Sequence, residues 1–420
     1  MLPPRDKPAQ RNRADKVRAC ETGSPGGDHP NQGGLAKIIR DKMGDMTVIR
    51  LGTRASALAT TQSQTVADLL TAQGVQVELF HVTTDGDTST ASLRQMGGTG
   101  VFATAIRYAL IGSQCDVAVH SFKDLPTAQP IGLRVAAVPP REDPRDALVA
   151  RDSLTLDDLP EGAKVGTGSP RRFAQLLAKR PDLQIVDIRG NVDTRLGRVK
   201  GLGRYAKGGG REDLDAVILA CAGLERLGHA GLITERLGTD VLMPAPAQGA
   251  LAVECRNADS LHGPLAKALQ AIDDRPSHLA ALAERAVLNR LGAGCAAPVG
   301  AHATLTERGP DKATQPDVLH LQAIVCSLDG TKQVHREASI ELPPLTEHFA
   351  AAYGIGEKLA EDLLDAGAGE ITDLSASRST PANPDVHDSA SAIRSSEAHS
   401  DTPGTQTCLL YTSPSPRDLS

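Results

Sequence analysis

The chain has 420 residues, 40% of them hydrophobic but only 2% aromatic with no tryptophan, and it carries a net charge of −6. That length allows two or three domains with aliphatic cores. The shortage of aromatics argues against a base-stacking surface, and the negative charge works against nucleic acid and anionic membrane. No apolar run is long enough to span a bilayer, and the N-terminus lacks the apolar core of a signal peptide. Seven scattered cysteines without a CxxC pair point to reduced thiols in a cytoplasmic protein, not to a disulfide framework or a zinc site.

Residues 1–45 are rich in Arg, Asp, Gly and Pro and are expected to be disordered, or to be upstream sequence ahead of a start at Met46. Order begins with the strand TVIRLG, then Arg54, Ser56 near a helix start, and Gln62 two turns into that helix. A strand over Val75–Thr84 leads to the glycine-rich stretch LRQMGGTGVF, which lacks the Lys and spacing of a phosphate-cradling loop. After a further helix comes the strand CDVAVH and then SFKDLPT, which puts Lys123 and Asp124 at the carboxyl end of a buried strand. That edge is where open α/β sheets bind ligands. A turn-forming Lys-Asp pair before Pro126 is the equal alternative.

Prolines 139, 140 and 144 mark a crossing between domains. The stretch from Lys164 to Arg195 then reads strand, turn, helix, strand, turn, helix. Ser169 is an N-cap candidate and Pro170 suits the first helical position. Arg171 and Arg172 fall in that helix's first turn, where the macrodipole disfavours cations, an arrangement suited to an anion. Arg189 follows the strand IVDI, and Arg195 lies in the next helix's first turn after Asn191 and Asp193. Solvated surface arginines are the bland reading, but four at equivalent corners favour an anion site. A glycine-rich basic insertion (201–211) precedes the strand AVILA, and Arg226 follows in a helix. PAPAQGALAVEC, with Gln248, is expected to be the second crossing.

From Ile272 the texture becomes that of a small α+β domain, with a helix over His278–Gly294 and a last helix near 347–371. Cys115, Cys221, Cys255 and Cys326 sit among apolar strand residues and read as core. Cys295 stands in a loop between small residues, equally a structural residue in a tight turn and a functional thiol. Domain 1 is expected to comprise 46–140 and 248–268, domain 2 145–243, and domain 3 272–374. Residues 375–420 read as a disordered tail whose CLLYTSPSPRDLS end looks like a cloning scar.

LGTRAS, HSFKDLP, REDPRDA, VGTGSPRR, IRGNVDTRL, ILACAGLERLG, PAPAQGA and GAGCAAPVG occur in this order. Together they resemble the porphobilinogen deaminase family over roughly residues 47–372. The resemblance implies an α/β fold of two periplasmic-binding-protein-like lobes joined by hinge crossings, plus a small α+β C-terminal domain. It implies a cytoplasmic, monomeric transferase of haem biosynthesis that joins four porphobilinogen molecules into hydroxymethylbilane, with possible hand-off to uroporphyrinogen-III synthase. No metal is implied. The primer would be a dipyrromethane cofactor on a thioether at Cys295, contacted by Lys123, Asp124, Ser56, Ser169, Arg171, Arg172 and Arg195. Arg54, Arg189, Arg226, Gln62 and Gln248 match substrate positions, and Asp124 the catalytic carboxylate. Where many members of the family have GGKGLF, this chain has GGTGVF, so Thr99 cannot supply a lysine's charge, and Arg94 and Arg107 are the nearby cations. A non-catalytic two-lobed anion-binding protein is the competing class.

Overall fold

The computed structural model describes residues 48–82, 101–294, 297–307 and 316–375. The first lobe is built on a five-stranded sheet of order β2-β1-β3-β10-β4, with β1 Val48–Thr53, β2 Gln76–His81, β3 Val117–Ser121, β4 Leu133–Ala137 and β10 Leu251–Arg256. The second repeats the plan in the order β7-β6-β8-β5-β9: β5 Asp146–Ala150, β6 Lys164–Gly166, β7 Gln184–Val186, β8 Ala216–Ala220 and β9 Glu235–Arg236. In each sheet four strands run in one direction and one strand fed by a crossing runs against them, β10 between β3 and β4 and β5 between β8 and β9. The chain therefore passes between lobes twice, through 138–145 and 237–250.

The strand sequences account for this layering. AVILA of β8 is aliphatic at every position: Ala216 and Ile218 enter one core with Leu148, and Val217 and Leu219 enter another with Val149. A strand buried on both faces needs a continuous apolar run and cover on both sides. The first lobe packs Leu51, Val117 and Val253 against Leu70 of helix α1 (Ala57–Ala72). Its remaining helix on the β2-to-β3 connection is α2, Val101–Ile111. The second lobe's helices are α3 Pro170–Lys179, α4 Val192–Leu196 and α5 Cys221–Arg226.

Helix α6, Gly263–Ile272, leads into the third domain. There the antiparallel meander β11 Val299–Thr306, β12 Val318–Cys326 and β13 Gln333–Glu341 lies under helices α7 Arg275–Arg290 and α8 His348–Asp365, with a short α9 at Ala368–Ile371. Helix α7 begins a turn earlier than the sequence suggested, because Asp274 caps it by accepting from the Ser277 N–H at 2.9 Å and Pro276 fits its first turn. Strand β13 was not anticipated, since its outward residues interrupt any long apolar run.

One carboxylate ties this domain to both crossings. Glu284 on α7, fully buried, accepts from Arg141 Nη1 at 2.7 Å and Nη2 at 3.0 Å in the first crossing, and from the Ala247 N–H at 2.6 Å in the second. It also accepts from the Ala303 N–H of β11 at 2.7 Å. Burial alone would raise its pKa, but Arg141 and His302 hold it below the ordinary range. The crossings also touch each other: a Cβ on Gly249, whose φ is +88°, would lie 2.5 Å from the Glu142 carbonyl oxygen. Only glycine allows that approach.

Cys115, Cys221, Cys255 and Cys326 are buried as expected. Burial pushes the thiols of Cys115 and Cys255 up to about 11 and those of Cys221 and Cys326 up to about 12, which leaves them unreactive at neutral pH. Cys295, Arg94 and Thr99 lie outside the described residues.

Candidate active site

Of the expected residues, Lys123, Asp124, Gln248, Arg171 and Arg172 come together where the two crossings meet the carboxyl end of β3. That strand ends at Ser121, and a single 3-10 turn, Phe122–Asp124, projects Lys123 and Asp124. The turn is anchored upstream by the Phe122 N–H, which donates to Ala250 O at 3.0 Å. Gln62 on α1 supports it as well: its Nε2 donates to Ser121 Oγ at 2.9 Å, and that hydroxyl is 3.1 Å from Gln62 Oε1. Asp124 is exposed and Lys123 half-buried.

Lys123 Nζ donates to Gln248 Oε1 at 3.2 Å. Gln248 is almost fully buried, and its Nε2 donates to Pro144 O and to Asp146 Oδ1, both at 2.8 Å. One amide in the second crossing thus joins the Lys-Asp turn of the first lobe to the start of β5 in the second. Burial, with repulsion from Arg172 and Arg171, lowers the Lys123 pKa to about 8 against the opposing pull of Asp124 and Asp146.

Arg171 and Arg172 stand at the start of α3 as expected, but the anion they meet is the chain's own Asp146. Arg171 Nη2 donates to Asp146 Oδ2 at 2.8 Å, and Arg172 donates to Oδ1 through Nε at 3.0 Å and Nη2 at 2.7 Å. Arg171 also donates to Met243 O, and Arg172 Nη1 to Ile218 O at 3.1 Å. Arg171 and Arg172 are 3% and 6% exposed, so this is a buried charge cluster and not a solvent-facing patch. For Asp146, burial would raise the pKa; attraction to Arg171 and Arg172 and hydrogen bonds from Arg172 and Gln248 reverse that and hold it well below the carboxylate range. Arg171 Nε is buried with no hydrogen-bond partner among the described residues. It is a donor still available to a further acceptor.

Ser169 occupies the N-cap position of α3 without making the capping bond. This corrects the expectation of a Ser cap. Its own N–H donates to Thr167 Oγ1 at 3.3 Å. Ser56 does cap α1, accepting from the Ala59 N–H at 3.4 Å.

The other arginines are placed in two ways. Arg226, last residue of α5, donates through Nη2 to Gly249 O at 2.7 Å, beside Gln248, and burial lowers its pKa. Arg54 directly follows β1, half-buried. Arg189 and Arg195 belong to an exposed corner of the second lobe: Arg189 lies 3.7 Å from Asp187, and Arg195 Nε donates to Gly190 O at 2.9 Å. Arg107 is no substitute for a loop lysine. Its guanidinium is paired with the fully buried Glu254 at 2.9 Å, which His120 also meets at 3.2 Å.

Sequence reasoning missed Asp146, Arg141 and Glu284. The signal was the density of charge in REDPRDA between prolines, which a solvated linker does not need. Residues flanking Cys295 are held one hydrogen bond apart, Ala297 N–H donating to Gly294 O at 3.0 Å. Among the described residues no group of three or more His, Cys, Asp or Glu could hold a metal ion, and no helix is long and apolar enough to cross a membrane.

Comparison with known proteins gives this arrangement its family. Residues 49–262 match the family model described as porphobilinogen deaminase, dipyromethane cofactor binding domain, and residues 278–365 match porphobilinogen deaminase, C-terminal domain. The chain is 65% identical over 336 residues to the porphobilinogen deaminase of Cutibacterium acnes, covering 80% of this chain and 100% of that protein. It is 52% identical over 338 residues to that of Micrococcus luteus, covering 76% of this chain and 89% of that one. Among solved structures, a periplasmic substrate-binding protein of an ABC transporter from Coxiella burnetii is 17% identical, with 56% of this chain and 96% of that one covered and a TM-score of 0.33. Two model matches that together run through both lobes and the third domain, with close relatives matched along nearly their whole length, show that the chain belongs to the porphobilinogen deaminase family, transferases of porphyrin biosynthesis whose first matched domain binds a dipyrromethane cofactor.

Proposed function

We propose that this chain joins four porphobilinogen molecules head to tail, with loss of ammonia, to give linear hydroxymethylbilane. The observation that carries this reading is the convergence of Lys123, Asp124, Gln248, Arg171 and Arg172 at the end of β3. The dipyrromethane would supply the anchored primer from which the chain grows, tethered by a thioether at Cys295.

The donors present suit such a group. It bears several carboxylates, and the cluster offers an unfilled Arg171 Nε together with a lysine ammonium crowded by two guanidinium groups. A carboxylate beside Lys123 relieves that crowding, and guanidinium–carboxylate pairing is the strongest recognition of this kind. Lys123, Arg171, Arg172, Arg195, Ser56 and Ser169 would hold the cofactor. Arg54, Arg189, Arg226, Gln62 and Gln248 would receive the acetate and propionate groups of incoming substrate.

Asp124 is the catalytic residue in this reading. Loss of ammonia from porphobilinogen leaves a cationic methylene-pyrrolenine, and a fixed carboxylate beside the breaking C–N bond stabilises the charge as it develops. The same carboxyl hands a proton to the departing amine and takes one back when the new carbon–carbon bond forms. Its exposure keeps it accessible to substrate, while Gln62 and Ser121 steady the turn that carries it. The linear product then passes from a monomeric, cytoplasmic enzyme to uroporphyrinogen-III synthase.

Intact mass and peptide mapping of the purified protein test the proposal. The expected result is a two-pyrrole adduct confined to the peptide containing Cys295. A fully active protein with that thiol unmodified defeats it.

A further inference from the structure

We propose that Arg285, on helix α7 of the third domain, is a positioning residue that fixes the Asp124 carboxylate by holding the backbone on both sides of it; this rests on the catalytic role given to Asp124 above. Arg285 is 8% exposed. Its Nη1 donates to Phe122 O at 2.9 Å and to Leu125 O at 2.8 Å, and its Nη2 donates to Pro126 O at 2.7 Å. The guanidinium carbon also stands 4.5 Å from the centroid of the Phe122 ring, a cation–π contact with the same turn. Phe122 and Leu125 bracket Lys123 and Asp124, so one nitrogen closes the turn across its base.

The turn's own closure is weak. The Leu125 N–H reaches Phe122 O at 3.3 Å, at the loose end of the hydrogen-bond range, whereas all three bonds from Arg285 are charge-assisted and shorter. Upstream the first lobe holds its own backbone, through the β3–β10 ladder at Ser121 and Leu251 and the Phe122-to-Ala250 bond. Downstream, the carbonyls of Leu125 and Pro126 are held by a side chain from a different domain. Because Asp124 is exposed, packing does not set its carboxylate; the backbone beneath it does.

Helix α7 continues from Arg285 to its C-cap at Leu291, so the group that grips the Asp124 turn is carried on an element of the third domain. A planar fork suits three divergent carbonyls in a way that a lysine ammonium does not.

The role is separable from folding. Arg285, Phe122, Leu125 and Pro126 line a cavity of about 820 Å³ between the first lobe and the third domain. In a truncated variant water can enter there and satisfy the three carbonyls, leaving the fold intact and the turn loose.

The test uses the full chain with Arg285→Met and Arg285→Lys, each alone and combined with Asp124→Asn. A turn displaced by about 1 Å is expected to lower kcat roughly 10- to 100-fold with KM for porphobilinogen nearly unchanged, and Lys is expected to recover only part of it. Added to Asp124→Asn, either substitution should cost little further residual turnover, because the group being positioned is gone. Full activity in Arg285→Met, or the same fold-loss in both backgrounds, overturns the inference. Should Arg285→Met not fold, Arg285→Lys carries the same comparison. A parent protein that does not consume porphobilinogen defeats the underlying reading instead.

Discussion

Lys123 Nζ and Gln248 Oε1 meet at 3.2 Å, and through Gln248 the Lys-Asp turn of the first lobe is joined to Asp146, the first residue of the second lobe's sheet. A movement of one lobe against the other therefore acts on the same amide that positions the lysine. Gln248 itself lies in the second crossing, between Ala247, which Glu284 holds, and Gly249, which packs on Glu142. The hinge and the candidate site share residues.

Lys123 has a pKa near 8 in this protein, below the ordinary lysine value of about 10.4. Because the folded value is depressed, the unfolded chain holds more protons between these two values, and stability rises with pH across that window. Ligand carboxylates beside the ammonium reverse the shift, so binding at about pH 9 should take up a proton. Calorimetric titration of porphobilinogen in two buffers of different ionisation enthalpy measures this, with Lys123→Met as the control. Equal proton uptake in parent and variant would show that another group is responsible.

Asp124→Asn is expected to leave the thermal midpoint within a degree or so, since exposed substitutions away from special contacts typically change stability by no more than about 0.5 kcal/mol. Turnover should fall by at least about 100-fold, the scale of a lost general acid–base group. Circular dichroism melting and steady-state ammonia release read the two quantities independently. Normal turnover in this variant removes Asp124 from the mechanism.

Asp146→Asn should act chiefly on stability. It leaves Arg171 and Arg172 buried around a neutral amide, and breaking a buried pair in this way costs about 3–5 kcal/mol. Asp146, Glu254 and Glu284 all have folded pKa values held below their ordinary range. Their stabilisation is thus complete above about pH 4.5 and lost as pH falls further, toward their depressed folded values. Urea unfolding at neutral pH and at pH 3 checks both points: the variant should be weaker at neutrality and show a shallower acid loss. A variant as stable as the parent at pH 7 would mean that the cluster contributes little to the fold.

How much of this was legible in the sequence depends on the range of the interaction. Strands such as AVILA and CDVAVH and the helices after Ser56 and Pro170 follow from apolar runs, caps and short-range periodicity, which local sequence records directly. The placement of Lys123 and Asp124 at a strand end was likewise local. Strand β13 escaped because alternation with exposed polar residues left no apolar run to notice.

Sequence alone determined that this is a three-part α/β chain with arginines at strand-to-helix corners and a Lys-Asp pair at the end of a buried strand. Tertiary structure decided what those groups touch. Arg171 and Arg172 look identical in the chain to free anion receptors, yet they close on Asp146, 25 and 26 residues away. Arg285 reads as one more cation on an amphipathic helix and in fact grips carbonyls some 160 residues distant. The physical reason is that a charge carries no address: local sequence fixes on which element it stands, and only the packing of elements fixes which oppositely charged or polar group becomes its partner.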